Sequence, residues 1–153
     1  MPFRKDAMFE TEIHTEIEIN ASAERVWKVL SDLSGYSEWN PMIRRASGDL
    51  KTGARLMLYF NPAGSKGRTF RPKLLIVEPN RELRWQGQPG VPMLFESEHI
   101  IKIEPINENK IRLVHDMVFY GLLIPLVRNR VKEAIYGPFE EMNRALKIRA
   151  EKK

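Results

Sequence analysis

Ser97, His99 and His115 are the side chains in this sequence best placed to do chemistry together. From Phe95 to Glu104 residues alternate, so Phe95, Ser97, His99, Ile101 and Ile103 share one strand face. Glu96, Glu98, Ile100, Lys102 and Glu104 form the opposite, mostly solvated face. After a turn at Pro105 to Asn109, Ile111, Leu113, His115, Met117 and Phe119 form the next inward set. A hairpin centred on Asn107 opposes His99 to His115, Ile101 to Leu113 and Ile103 to Ile111. A register two residues away keeps both histidines inward as diagonal neighbours. A shift by one would put them on opposite faces, against the hydrophobic pattern. Two close, buried imidazoles cannot both be charged comfortably, so at least one pKa falls. That would poise a base for proton abstraction or dehydration. The competing use is structural: two core histidines satisfied by Ser97 or a backbone carbonyl. The inward set offers no third carboxylate or thiol, and Asp116 points to the other face, so no metal site is expected.

The chain around these residues has 153 positions, enough for one domain. At 42% hydrophobic and 29% charged, its composition is that of a folded chain. It contains no cysteine, which excludes disulfides, thiol nucleophiles and Cys-ligated clusters. The 25 Lys+Arg and 20 Asp+Glu leave a net charge of +5, but the basic residues are scattered and build no stacking platform for nucleic acid. The start, Met1 to Asp6, lacks the apolar core of a signal peptide, and the longest apolar run, Leu122 to Val127, is too short to cross a bilayer. A cytoplasmic location and no cofactor are the expectations. No nucleic acid and no integral membrane segment are expected. Transient membrane contact stays open, as does the choice of monomer or homodimer.

Glu12 to Ile19 alternates as a half-buried strand. Ser22 or Asn20 can cap a helix carrying Val26, Leu30 and Leu33, ended by Ser34-Gly35. Tyr36 to Trp39 forms a second short helix, stopped at Asn40-Pro41. Then come further strands: Leu56, Leu58 and Phe60 alternate, Phe70, Pro72, Leu74 and Ile76 share a face, and Leu83 and Trp85 follow. The last segment predicts a long helix from about Leu126, with Pro125 at its start. Its stripe is Val127, Val131, Ile135, Phe139, Met142 and Leu146. Gly137-Pro138 predicts a kink or break over residues 134–138.

One strand, two short helices, a run of antiparallel strands and one long amphipathic helix is an order with a family likeness. Ile19 to Trp27, Leu30-Ser31-Asp32-Leu33 and Tyr36-Ser37-Glu38-Trp39-Asn40-Pro41 resemble the SRPBCC (START and birch-pollen-allergen-like) superfamily, in its polyketide cyclase/dehydrase branch. Phe119-Tyr120-Gly121 and Phe139 to Lys147 continue the resemblance. It implies an α+β helix-grip fold: a curved antiparallel sheet of six to seven strands wrapped around the C-terminal helix. The expected division is an arm at 1–10, one domain at 11–150 and a tail at 151–153. Many relatives carry a Glu two residues after the histidine of the last strand. Met117 stands there in this chain, which weakens family-type acid/base chemistry and makes the cavity more apolar.

The resemblance also implies a deep apolar cavity between sheet and helix. The expected wall includes Phe70, Leu74, Trp85, Phe95 and Ser97. Met117, Phe119, Ile135, Phe139 and Met142 complete it. An apolar pocket with a few polar groups suits a small molecule. The expected function is binding of a small hydrophobic or amphipathic ligand: lipid-like, aromatic or polyketide. The alternatives are a cyclase or dehydratase with His99 or His115 as general base, and a chaperone-associated interaction module. Gln88 to Met93 and Gly121 to Pro125 could gate the cavity, touch a membrane, or pack against the helix start or a second copy. Trp27 and Trp39 are expected to be structural.

Overall fold

The computed structural model describes residues 7–87 and 93–152. Most of the expected Gln88 to Met93 gate therefore lies outside the described residues, as do residues 1–6 of the arm and residue 153 of the tail.

Alternation makes β1 (Glu10–Ile19), whose inward Thr11, Ile13, Thr15 and Ile19 are buried. Ser22 caps α1 (Ala23–Ser31), its Oγ accepting the Arg25 amide at 3.1 Å. A short 3₁₀ turn, Leu33–Gly35, leads into α2 (Tyr36–Trp39). Tyr36 sits fully buried and donates to the Leu30 carbonyl at 2.6 Å. Asn40 Oδ1 then accepts the amides of Met42 at 2.9 Å and Ile43 at 2.8 Å, which turns the chain into the strands.

The remaining strands are β2 (Ile43–Ser47), β3 (Met57–Phe60), β4 (Arg68–Phe70), β5 (Lys73–Glu78), β6 (Glu82–Gln86), β7 (Glu96–Asn107) and β8 (Lys110–Tyr120). One sheet has the order β1-β8-β7-β6-β5, the other β2-β3-β4. They are joined where the Leu56 amide donates to Pro72 O at 2.9 Å and the Leu74 amide to Ala54 O at 2.8 Å. The architecture is the α+β helix-grip class, with all named pairings antiparallel and α3 (Ile124–Glu151) packed on β1, β8 and α1. Phe139, Met142, Leu146 and Ala150 bury the inner stripe of α3.

Four local expectations need correction. The described residues form eight strands, not six or seven. The expected Phe70 to Ile76 strand is split at Arg71-Pro72, because proline has no amide to continue a ladder. The β7–β8 register is two residues from the Asn107-centred one: His99 lies opposite Met117, Ile101 opposite His115, Ile103 opposite Leu113. Asn107 Oδ1 accepts the Asn109 amide at 2.8 Å, so the turn runs through Glu108-Asn109, and an irregularity between Pro105 and Asn107 takes up the offset. Finally, α3 starts at Ile124 and runs unbroken through Gly137-Pro138. Ala134, whose carbonyl loses its helical donor to the proline, is exposed, so water can supply the missing bond.

Candidate functional site

Between the two sheets and α3 lies a cavity of about 350 Å³. Its aromatic wall is Phe60, Phe70, Trp85, Phe95, Phe119 and Phe139. Ile43, Leu58, Pro72, Met117 and Ile135 fill the gaps between them. Gly87, Ser97, His99, Arg68 and Glu96 complete the lining. Period-two geometry explains why Ser97 and His99 from β7 and Met117 and Phe119 from β8 look the same way. Gly87 has a steric role: a Cβ there would overlap the Ser97 hydroxyl.

Of the side chains expected at this site, the wall residues Leu74 and Met142 and the candidate base His115 are not in the lining. All three are sealed in the core, at or below 1% exposure. Ile43, Leu58, Phe60, Arg68, Pro72, Gly87 and Glu96 were not anticipated. The alternation of Leu58 and Phe60 was visible, but nothing local indicates that the three-stranded sheet faces the cavity. Trp27 and Trp39 are half-buried against the main core, away from the cavity lining; Trp39 meets Tyr36 edge-on at 5.2 Å between ring centres. The apolar run at 122–124 divides: Leu122 and Leu123 are exposed, while Ile124 is buried beside Ile13 and Phe119.

The histidines form the polar spine behind the wall. His99 Nε2 and His115 Nε2 are 2.6 Å apart. His115 stacks on Phe139 at 3.9 Å between ring centres, and His99 is flanked by Trp85 at 4.3 Å and Phe139 at 4.9 Å. Beyond His115, its Nδ1 is 2.7 Å from Asn143 Oδ1. Asn143 Nδ2 donates to Thr15 Oγ1 at 2.9 Å, and that hydroxyl donates to the His115 carbonyl at 2.5 Å. β1, β8 and α3 thus each supply one member of a closed polar relay. Burial pushes the His99 pKa well below its ordinary value, and the neighbouring His115 adds to that. Burial also pulls His115 down to about 4, although the Asn143 bond opposes it. Near pH 7 both rings are neutral.

His14 stands on the outer face of the sheet. Its Nδ1 is 2.7 Å from Asp116 Oδ1, which also accepts the Thr15 amide at 3.2 Å. Burial raises the Asp116 pKa, His14 works against it, and Asp116 Oδ2 has no partner among the described residues. Among the described residues, no three His, Cys, Asp or Glu side chains converge as metal ligands. No described helix is long and apolar enough to cross a membrane.

This chain belongs to the family described as polyketide cyclase / dehydrase and lipid transport, whose profile matches residues 10–151. Among solved structures it is similar to the ZhuI aromatase/cyclase from Streptomyces sp. R1128, with 17% identity and a TM-score of 0.75, covering 93% of this chain and 94% of that one. A START superfamily protein from Mycobacterium smegmatis has 24% identity and a TM-score of 0.73, covering 92% and 97% of the two chains. A norcoclaurine synthase point mutant from Thalictrum flavum, in complex with a transition-state analogue, has 18% identity and a TM-score of 0.71, covering 95% and 97%. At these identities the structural likeness establishes the fold. No curated protein sequence matches this chain.

Proposed function

We propose that this protein binds a small hydrophobic or amphipathic molecule, lipid-like, aromatic or polyketide, in the cavity between the sheets and α3. The observation that carries this is the open volume of about 350 Å³ with six aromatic rings in its wall. Burying apolar ligand surface there is worth about 25 cal/mol per Å² before the costs of association. Ser97 and His99 supply polar groups that orient the ligand. The family description, which joins cyclase/dehydrase activity with lipid transport, supports such a ligand class. Norcoclaurine synthase, a structural neighbour, has been solved with dopamine and hydroxybenzaldehyde, both small aromatic molecules. Native mass spectrometry of gently purified protein, followed by extraction, tests the proposal. A bound small molecule released on denaturation is expected, and Met117→Trp, which fills the cavity, should abolish it. Lack of any bound species, together with no uptake of apolar probes by the native protein, would sink it.

A second reading is supported by one specific observation. His99 lines the cavity and is neutral, as a general base for cyclisation or dehydration must be before it accepts a proton. His115 is sealed behind it and acts only through His99. Loss of turnover in His99→Phe with ligand binding retained would distinguish an enzyme from a carrier.

A further inference from the structure

Hydrogen-bond directions in the buried relay can be assigned link by link. Thr15 Oγ1 is 2.5 Å from a carbonyl oxygen, which only accepts, so the hydroxyl donates there. Its lone pair then receives the Asn143 Nδ2–H at 2.9 Å. That orients the amide with Oδ1 toward His115, 2.7 Å away, and an amide oxygen also only accepts. His115 Nδ1 therefore carries a proton. A neutral His115 with a proton on Nδ1 has a bare Nε2. At 2.6 Å, the facing His99 Nε2 must donate, because two lone pairs at that distance would repel. A neutral His99 with a proton on Nε2 has a bare Nδ1. That atom has no partner among the described residues and is not among their sealed, unpaired polar atoms. It opens on the cavity that His99 lines.

From this chain of donors we infer that His99 Nδ1 is a dedicated hydrogen-bond acceptor, and that the cavity selects apolar ligands bearing a hydroxyl or equivalent donor. This rests on the proposed ligand-binding role and sharpens it. A hydroxyl, phenol, enol or N–H fits against the bare nitrogen. An ether, ketone or carboxylate at that point would face lone pair to lone pair. The Asn143 amide could not stand in the opposite orientation without setting its oxygen against the Thr15 lone pair, because the Thr15 proton is committed to the His115 carbonyl. The preference is thus set by Thr15 and Asn143, two residues outside the lining. Ser97, two residues before His99 on the same strand face, can donate or accept, so it accommodates a second ligand oxygen of either kind.

Isothermal titration of the native protein with 2-naphthol and 2-methoxynaphthalene separates the possibilities. The two share a ring system, and only the naphthol can donate. Roughly tenfold tighter binding of the naphthol is expected, in line with one buried hydrogen bond. His99→Phe should erase that preference while still binding the ether. Equal affinities in the native protein, or a preference for the ether, would overturn the inference while leaving cavity binding intact. If neither probe binds, the cavity-binding proposal is what suffers. The acceptor assignment is then read from a long-range proton–nitrogen NMR spectrum of the ligand-free protein, which also covers failure of the variant to fold. A bare Nδ1 and protonated Nε2 on His99 sustain it; a protonated Nδ1 overturns it.

Discussion

His99 and His115 are diagonal neighbours on β7 and β8, yet their Nε2 atoms approach to 2.6 Å. Phe139 from α3 lies against both rings, so the pair is held between sheet and helix with little water nearby. A further proton on this pair would create a buried cation, and on His115 Nε2 it would also set a donor against the His99 Nε2–H. The closeness of two basic side chains is thus also an arrangement that keeps them uncharged.

Acid should therefore destabilise this protein before its carboxylates titrate. Both histidines are depressed in the folded state, His115 to about 4 and His99 well below its ordinary value. Below the ordinary histidine pKa of about 6.5, the unfolded chain binds protons that the folded chain refuses. Stability is complete above that value and falls as the pH drops toward about 4, by up to ~1.4 kcal/mol per pH unit for each neutral histidine. Asp116, with its raised pKa, works in the opposite direction and blunts the fall. Urea unfolding at a series of pH values should show the decline, and a flat profile over that window would contradict it.

Asn143 decides the protonation pattern of His115 without touching the cavity. Asn143→Leu leaves the His115 Nδ1–H without its acceptor in a sealed site and should cost ~1–3 kcal/mol in urea unfolding. Asn143→Asp puts a carboxylate in place of the amide oxygen. The His115 pKa should then rise, and its share of the acid-induced loss of stability, which still begins near the ordinary histidine value of about 6.5, should shrink. NMR titration of the His115 ring checks this directly; an unchanged pKa in the aspartate variant would contradict the assigned contact.

Much of this arrangement was legible in the sequence because a strand has only two faces. Alternation alone brings Ser97, His99, His115 and Phe119 to one side, and the amphipathic stripe points Phe139 at them. The register was not legible, since it depends on how the Glu108-Asn109 turn and the irregularity near Pro105 share one residue between them. Nor were Asn143 and Thr15: they meet His115 through contacts spanning 28 and 100 sequence positions, and each other across 128. The contribution of Ile43, Leu58 and Phe60 depends on how one sheet closes against another, for which short, partly exposed strands carry no local signal.

Phe139 should be the costliest single wall residue to truncate. It is 1% exposed, stacks on His115 and also lines the cavity. Phe139→Ala should lose ~3–5 kcal/mol, the range for truncating a buried phenyl ring. It would also merge the space over His115 with the cavity, giving that histidine access to water and moving its pKa back toward the ordinary value. Urea unfolding reads the first effect and NMR titration the second. A loss below about 1 kcal/mol would mean that α3 collapses into the gap.

Two glycines should respond oppositely to the same substitution. Gly121 ends β8 with φ +138°, and an added Cβ would overlap the Leu94 carbonyl oxygen and the Phe95 amide nitrogen. Backbone atoms cannot swing aside as a side chain can, and that φ is itself costly for any residue with a Cβ. Gly121→Ala should therefore destabilise by more than ~2 kcal/mol and disturb the start of α3, whose Ile124 amide donates to the Gly121 carbonyl at 3.2 Å. Gly137 lies within α3, where a Cβ would meet nothing within 4 Å. Gly137→Ala should stabilise the helix by ~0.5–1 kcal/mol, the propensity difference at an exposed helical site. Thermal unfolding of the two variants beside the parent chain reads both signs. Destabilisation by Gly137→Ala would mean that the helix needs glycine's freedom to accommodate Pro138.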